Sequence, residues 1–201
     1  MDRRTFLTLA ALLPGMGQTS KPSPPGAVKP VTQKPTAAAG KGVVAWTQWG
    51  GPHRNFQTEA AALKDTWPAS GPPVVWKRQL GGDGYSAPAV EADVLYTMYG
   101  RRNEEVVIAA SATTGATLWE QVAPMTFHSD AAEQGDGPYS APLVVGDRLF
   151  TTGVDGRLQC LEKRTGKVLW TQQLWSQHRG SPLMYGYASS PIAFRMVVEM
   201  G

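Results

Sequence analysis

The densest grouping of chemically able side chains in this 201-residue sequence is His128, Asp130, Glu133 and Asp136, all within the stretch 125–137. Carboxylates and an imidazole at that density could ligate a cation, and a long loop on a rigid scaffold is where binding residues collect. The same composition suits a loop that only faces water, and a solvated loop is the expectation. Asp83, Asp93, Asp147 and Asp155 offer further carboxylates for general-base work. Asp147 and Asp155, however, stand in Gly146-Asp147 and Asp155-Gly156, where turn geometry alone accounts for an aspartate. His53 and His178 have no partner at ligand or base spacing and read as surface or structural residues. Cys160 is the only cysteine, which removes an intrachain disulfide and a cysteine-based zinc site from this stretch. Gly81-Gly82-Asp83-Gly84 lies between two strand patterns with no helix following, so a phosphate would meet no helix N-terminus. No catalytic, cofactor-binding or metal-ligating residue is therefore assigned.

The elements that would position these groups repeat. Tyr85-Ser86-Ala87-Pro88-Ala89-Val90 aligns without a gap to Tyr139-Ser140-Ala141-Pro142-Leu143-Val144, and Tyr187-Ala188-Ser189-Ser190-Pro191-Ile192 follows the same plan. An apolar strand comes next in the first two copies, Val94-Leu95-Tyr96-Thr97-Met98-Tyr99 and Arg148-Leu149-Phe150-Thr151-Thr152. Both copies close on one phrase, Thr114-Gly115-Ala116-Thr117-Leu118-Trp119 and Thr165-Gly166-Lys167-Val168-Leu169-Trp170. Gly146-Asp147, Asp155-Gly156 and Lys163-Arg164-Thr165-Gly166 punctuate the second copy into four strands, because Gly and Asp supply the backbone that tight hairpins require. Cys160 falls on the position of Ala109, so it reads as a small buried strand residue with an unreactive thiol. Arg101-Arg102-Asn103-Glu104-Glu105 reads as an exposed hairpin tip of mixed charge, a solvated turn.

Composition agrees. With 22 Gly, 16 Pro, 7 Trp and only 17% charged residues, the chain suits short strands and tight turns more than helices. The expected fold is all-β, a partial β-propeller of four-stranded antiparallel blades, about two complete and others partial. Blade strands are expected near 74–80, 85–123, 139–174 and 187–201, within a propeller region 43–201. A four-stranded sheet cannot bury both of its faces alone, so blades must stack, and the fourth-strand Trp is expected to fill the gap between neighbours.

The formal charge of +3 is misleading as a guide to partners. Residues 1–41 hold six of the 19 Lys/Arg and one of the 16 acids, leaving 13 against 15 in the remainder, a formal charge of −2. A mildly acidic body gives no electrostatic reason to bind nucleic acid. No apolar run reaches the length of a spanning helix.

These residues carry a resemblance. The unit resembles the repeat of the PQQ-binding-like, or quinoprotein-like, β-propeller family, whose tryptophan-docking motif reads roughly Ala-x-Asp-x-x-Thr-Gly-x-x-x-Trp. The copies here run from Ala109 through Thr114-Gly115 to Trp119 and from Cys160 through Thr165-Gly166 to Trp170, with Ser111 and Glu162 in place of the Asp. Trp46-Thr47-Gln48-Trp49-Gly50-Gly51-Pro52-His53-Arg54-Asn55 is similar to the leading segment of exported bacterial members. The family includes both alcohol-oxidising quinoproteins and the non-catalytic scaffold of the outer-membrane barrel-assembly machinery, so the resemblance implies the fold more than an activity. It implies an exported, non-catalytic scaffold for protein or peptide partners, without a cofactor. The alternative is a fragment of a PQQ-dependent dehydrogenase-like quinoprotein, an oxidoreductase needing PQQ and calcium.

Asp2-Arg3-Arg4-Thr5-Phe6-Leu7 followed by a short apolar stretch and Pro14-Gly15 is similar to a twin-arginine signal peptide, placed at 1–17. Residues 18–42 are Pro, Lys and Ala rich and are expected to be a disordered linker. A periplasmic or otherwise exported bacterial location follows. Propellers of this family have seven or eight blades, so a truncated product is expected, whose open edge would self-associate.

Overall fold

A computed structural model describes residues 45–57, 66–128, 135–179 and 183–193. The proposed signal peptide at 1–17 and linker at 18–42 lie outside the described residues, as does the strand expected over 194–201.

The described chain forms two antiparallel four-stranded sheets, as partial propeller blades require. Blade 1 contains β1 (Ala89–Glu91), β2 (Val94–Arg101), β3 (Glu104–Ser111) and β4 (Thr117–Pro124) in the order β1-β2-β3-β4. Blade 2 contains β5 (Leu143–Val145), β6 (Arg148–Thr152), β7 (Arg157–Glu162) and β8 (Val168–Gln173) in the equivalent order. A short helix α1 (Leu174–His178) follows β8. No described helix is long and apolar enough to cross a membrane.

The two blades share an irregularity. In blade 1, Ala109 pairs with Trp119 and Ala110 with Thr117; in blade 2, Cys160 pairs with Trp170 and Leu161 with Val168. One extra residue, Leu118 or Leu169, is thereby bulged out of each fourth strand, and both leucines are exposed. The turns that precede these strands are also alike. Gly115 N–H donates to Ser111 O, and Gly166 N–H donates to Glu162 O. Ser111 Oγ accepts the Thr114 N–H at 3.2 Å, and Glu162 accepts the Thr165 hydroxyl at 2.5 Å. Each residue standing in place of the motif's Asp thus fastens the Thr of its own turn.

The main core lies between the blades, because alternate residues of each strand point to opposite faces. Tyr96, Met98, Val107 and Ala109 from blade 1 meet Val144, Leu149 and Leu161 from blade 2, with Trp119 and Val168 packed alongside. The other face of blade 1 buries Tyr99, Val106 and Ile108 against Leu80. At the sheet edges, Trp46 exchanges backbone hydrogen bonds with Val90 of β1, and Thr47 O accepts from Val144 N–H of β5. The leading segment therefore ties the first strands of both blades.

Three expectations need correction. Residues 74–80 form no strand, since no described strand pairs with them, although Trp76 and Leu80 still reach blade 1. Glu105 is not part of a solvated tip: only Arg102 and Asn103 turn, and Glu105 is 2% exposed. It shares the alternation of Val107 and Ala109 and so points toward blade 2. Residues 187–193, expected to open the next unit, contain no strand. They do lie on blade 2, where Ser190 Oγ accepts Ala141 N–H at 2.8 Å and Tyr187 N–H donates to Val154 O.

Candidate interaction surface

The repeated phrase builds a repeated contact. At Gly166 the backbone φ is +72°, and a Cβ there would come within 2.4 Å of the Trp119 ring. Gly is needed both for the left-handed backbone and for the close approach of the indole. Trp119 Nε1–H then donates to Lys163 O at 3.1 Å. One repeat earlier, Trp76 lies over Gly115, φ +71°, and donates Nε1–H to Ala112 O at 2.9 Å. Each indole caps the turn of the following blade through one apolar face and one hydrogen bond, the two-sided contact to which Trp is suited.

Within a blade, the Trp belongs to a transverse row. Tyr96, Ala109 and Trp119 are register partners in blade 1, with the Tyr96 and Trp119 rings 6.1 Å apart. Phe150, Cys160 and Trp170 make the same row in blade 2, with rings 6.0 Å apart. Blade 2 covers the first row. The second row faces no sheet among the described residues, and Trp170 is 41% exposed.

Polar contacts stitch the interface. Glu105 Oε2 accepts the Val154 N–H of blade 2 at 3.0 Å, and its carboxyl lies against Gly153. Burial pushes its pKa up to about 7, opposed by the Val154 N–H and by Arg157, while Asp155 pushes upward. Arg157 forms an ion pair with Asp155 and also donates to Pro124 O at the end of β4. Lys163 pairs with Glu91 across the blades. Burial, aided by Glu91, raises the Tyr96 hydroxyl to about 12.

The residues singled out by their chemistry separate here. Cys160 is buried on β7 in the place of Ala109, and burial raises its thiol pKa, with Arg148 pulling the other way. Asp155 is the partner of Arg157 and caps its own turn by accepting Arg157 N–H at 3.3 Å. Asp147 is exposed in the β5–β6 turn, where its carbonyl accepts Lys163 N–H. His53 and His178 are exposed. His128 Nδ1 contacts Asp136 Oδ2 at 3.1 Å, whereas Asp130 and Glu133 lie outside the described residues. Asp83, Arg102, Met125 and Asp136 line a hollow of about 330 Å³ closed by glycine backbone. Calcium takes six to eight oxygens, so two carboxylates are too few to cage it there without further ligands. Among the described residues no group of three or more His, Cys, Asp or Glu side chains could hold a metal.

The residue missed in the sequence was Glu105. Its period-two spacing from Val107 and Ala109 marked it as interior, but the neighbouring Arg101, Arg102 and Glu104 suggested a turn. Two of the tyrosines that open the repeats also meet: Tyr85 stacks on Tyr139 at 5.4 Å, while Tyr185 meets Tyr139 edge-on at 5.9 Å and Tyr187, which opens the third repeat, lies against Trp175 at 6.0 Å.

Comparison with known proteins bears on this arrangement. A family model described as outer membrane protein assembly factor BamB matches residues 62–183. The outer membrane protein assembly factor BamB of Aliivibrio fischeri (strain ATCC 700601 / ES114) is 31% identical over 88 residues, covering 43% of this chain and 22% of that protein. The chain therefore spans about a fifth of the length of this curated relative. Among solved structures, BamB from Moraxella catarrhalis is 18% identical over 48% of this chain and 27% of its own, with a TM-score of 0.40. Quinohemoprotein alcohol dehydrogenase from Comamonas testosteroni is 22% identical over 47% of this chain and 14% of its own, with a TM-score of 0.31.

Proposed function

The chain belongs to the outer membrane protein assembly factor BamB family, and on that premise we propose that it is an exported, non-catalytic scaffold whose blade surfaces hold protein segments in the bacterial envelope. The observation that carries this reading is the row Phe150, Cys160 and Trp170. It repeats the row by which blade 1 grips blade 2, yet it faces no sheet among the described residues. A surface that grips β-structure in one copy has the chemistry to do so in the next, with aromatic anchors and an indole N–H to donate. The non-catalytic part is supported by the work its buried ionisable groups already do: Glu105 accepts from Val154, Asp155 holds Arg157, and Cys160 fills a strand position. Arg3-Arg4 and the apolar stretch after them support export.

The direct test is photo-crosslinking in the native bacterium from a reactive group placed at exposed Leu169, beside Trp170. The expected product is a covalent adduct with a component of outer-membrane protein assembly. Absence of any adduct, together with dye reduction by the purified chain that depends on PQQ and calcium, would overturn the scaffold in favour of a quinoprotein.

A further inference from the structure

Trp76, Trp119 and Trp170 occupy one repeated position, but among the described residues a glycine turn meets only the first two. Trp119 reaches Gly166 from a complete blade. Trp76 reaches Gly115 from 74–80, which pairs with no described strand. Beneath that segment, an apolar hollow of about 190 Å³ lies among Leu80, Pro88, Leu95, Thr97, Ile108 and Ala110. Leu95 and Ala110 stand where blade 2 has Leu149 and Leu161, both fully buried by blade 1. The outer face of blade 1 is thus the same kind of surface as the inner face of blade 2, covered by a single extended segment instead of a sheet.

We propose that this face, once 74–80 moves aside, receives the Trp170 face of a second copy of the chain, and that 74–80 is a built-in competitor for the niche. The template is the contact between blades 1 and 2 within one molecule. The Phe150, Cys160 and Trp170 row repeats Tyr96, Ala109 and Trp119, and the Gly115 turn repeats the Gly166 turn. The arriving indole lies over Gly115 and donates to Ala112 O, as Trp76 does now at 2.9 Å. Knob and niche lie on opposite faces of the blade pair, so the association is head-to-tail and joins molecules by the repeat that joins blades. Trp76 opposes it because it is tethered and already in place. The Trp170 row is the same one the scaffold reading uses, with a second copy as its occupant instead of another protein; self-association of the purified chain reports on this occupant, and crosslinking in the bacterium on the other.

Sedimentation velocity of the full chain over a range of concentrations tests it. Trp76→Ala is expected to raise the weight-average mass at least twofold where the wild type is mainly monomeric. Adding Trp170→Ala to that variant, or an excess of a peptide of residues 73–81, is expected to return it to monomer. Trp76→Phe, which keeps a ring but loses the N–H donor, gives a smaller rise and replaces the alanine variant should that one lose its β-sheet circular dichroism. A folded Trp76 variant that stays monomeric overturns the proposal. So does association that neither Trp170→Ala nor the peptide reverses.

Discussion

Glu105 on β3 accepts the backbone N–H of Val154, in the β6–β7 turn of the neighbouring blade, at 3.0 Å. A carboxyl group thus bridges the blades from a position that is 2% exposed, with Arg157 and Asp155 the charged groups that act on it. Desolvation raises its pKa in the folded chain to about 7, against an ordinary value of 4.5. The folded state therefore holds the proton more tightly than the unfolded state. This contribution to stability is complete below the ordinary carboxyl pKa and is lost as the pH rises through 7.

Replacing Glu105 with Gln keeps a carbonyl oxygen for Val154 and removes the titration. Wild-type stability is expected to fall by on the order of 3 kcal/mol between pH 4.5 and pH 8 from this group. Glu105→Gln is expected to lose that slope and to be the more stable protein at pH 8. Urea denaturation at four or five pH values measures both, and parallel pH profiles for the two proteins would refute the bridge.

In the Arg157–Asp155 pair the carboxylate is buried and the guanidinium largely so, and Arg157 also donates to Pro124 O. Removing only the cation leaves a buried carboxylate without its partner, so Arg157→Ala is expected to cost about 3 kcal/mol or more. The double variant Arg157→Met with Asp155→Asn is expected to recover much of that loss, because neither charge then remains buried. Equal losses from the single and double variants would show that the pair is not coupled.

Cys160 pairs with Phe150 and Trp170 at the place that Ala109 fills in blade 1. Cys160→Ala is accordingly expected to change stability by less than about 1 kcal/mol. The native thiol, buried and with its pKa raised, should react with a thiol reagent orders of magnitude more slowly than the denatured one. Labelling rates with and without denaturant decide this, and similar rates would place the thiol at the surface.

Much of this was legible in the chain because repetition exposes what single motifs hide. Two copies of Thr-Gly-x-x-x-Trp located the fourth strands, and aligning them put Cys160 beside Ala109 before any contact was known. Turn residues such as Gly146-Asp147 marked the hairpins because their backbone demands are local. Glu105 escaped because a charged residue near a turn resembles a solvated tip; only its neighbour across the interface, Val154, makes burial tolerable, and that neighbour is 49 residues away. Residues 74–80 carry a fourth-strand pattern yet form no strand, since a strand depends on a partner and the pattern cannot supply one. Trp76 still finds Gly115, which shows that the indole contact and the strand ladder are separable. The transverse row left open at Trp170 became visible only from the register.

Trp119, lying over Gly166, holds the two blades together, whereas the equivalent Trp170 grips no sheet among the described residues. Equilibrium denaturation of Trp119→Ala and Trp170→Ala at low protein concentration measures that difference most directly. The expected losses are about 3 kcal/mol or more for Trp119→Ala and less than about 1 kcal/mol for Trp170→Ala. Equal losses, or a Trp119→Ala variant as stable as the wild type, would mean that the Trp119 indole does not hold the blades together.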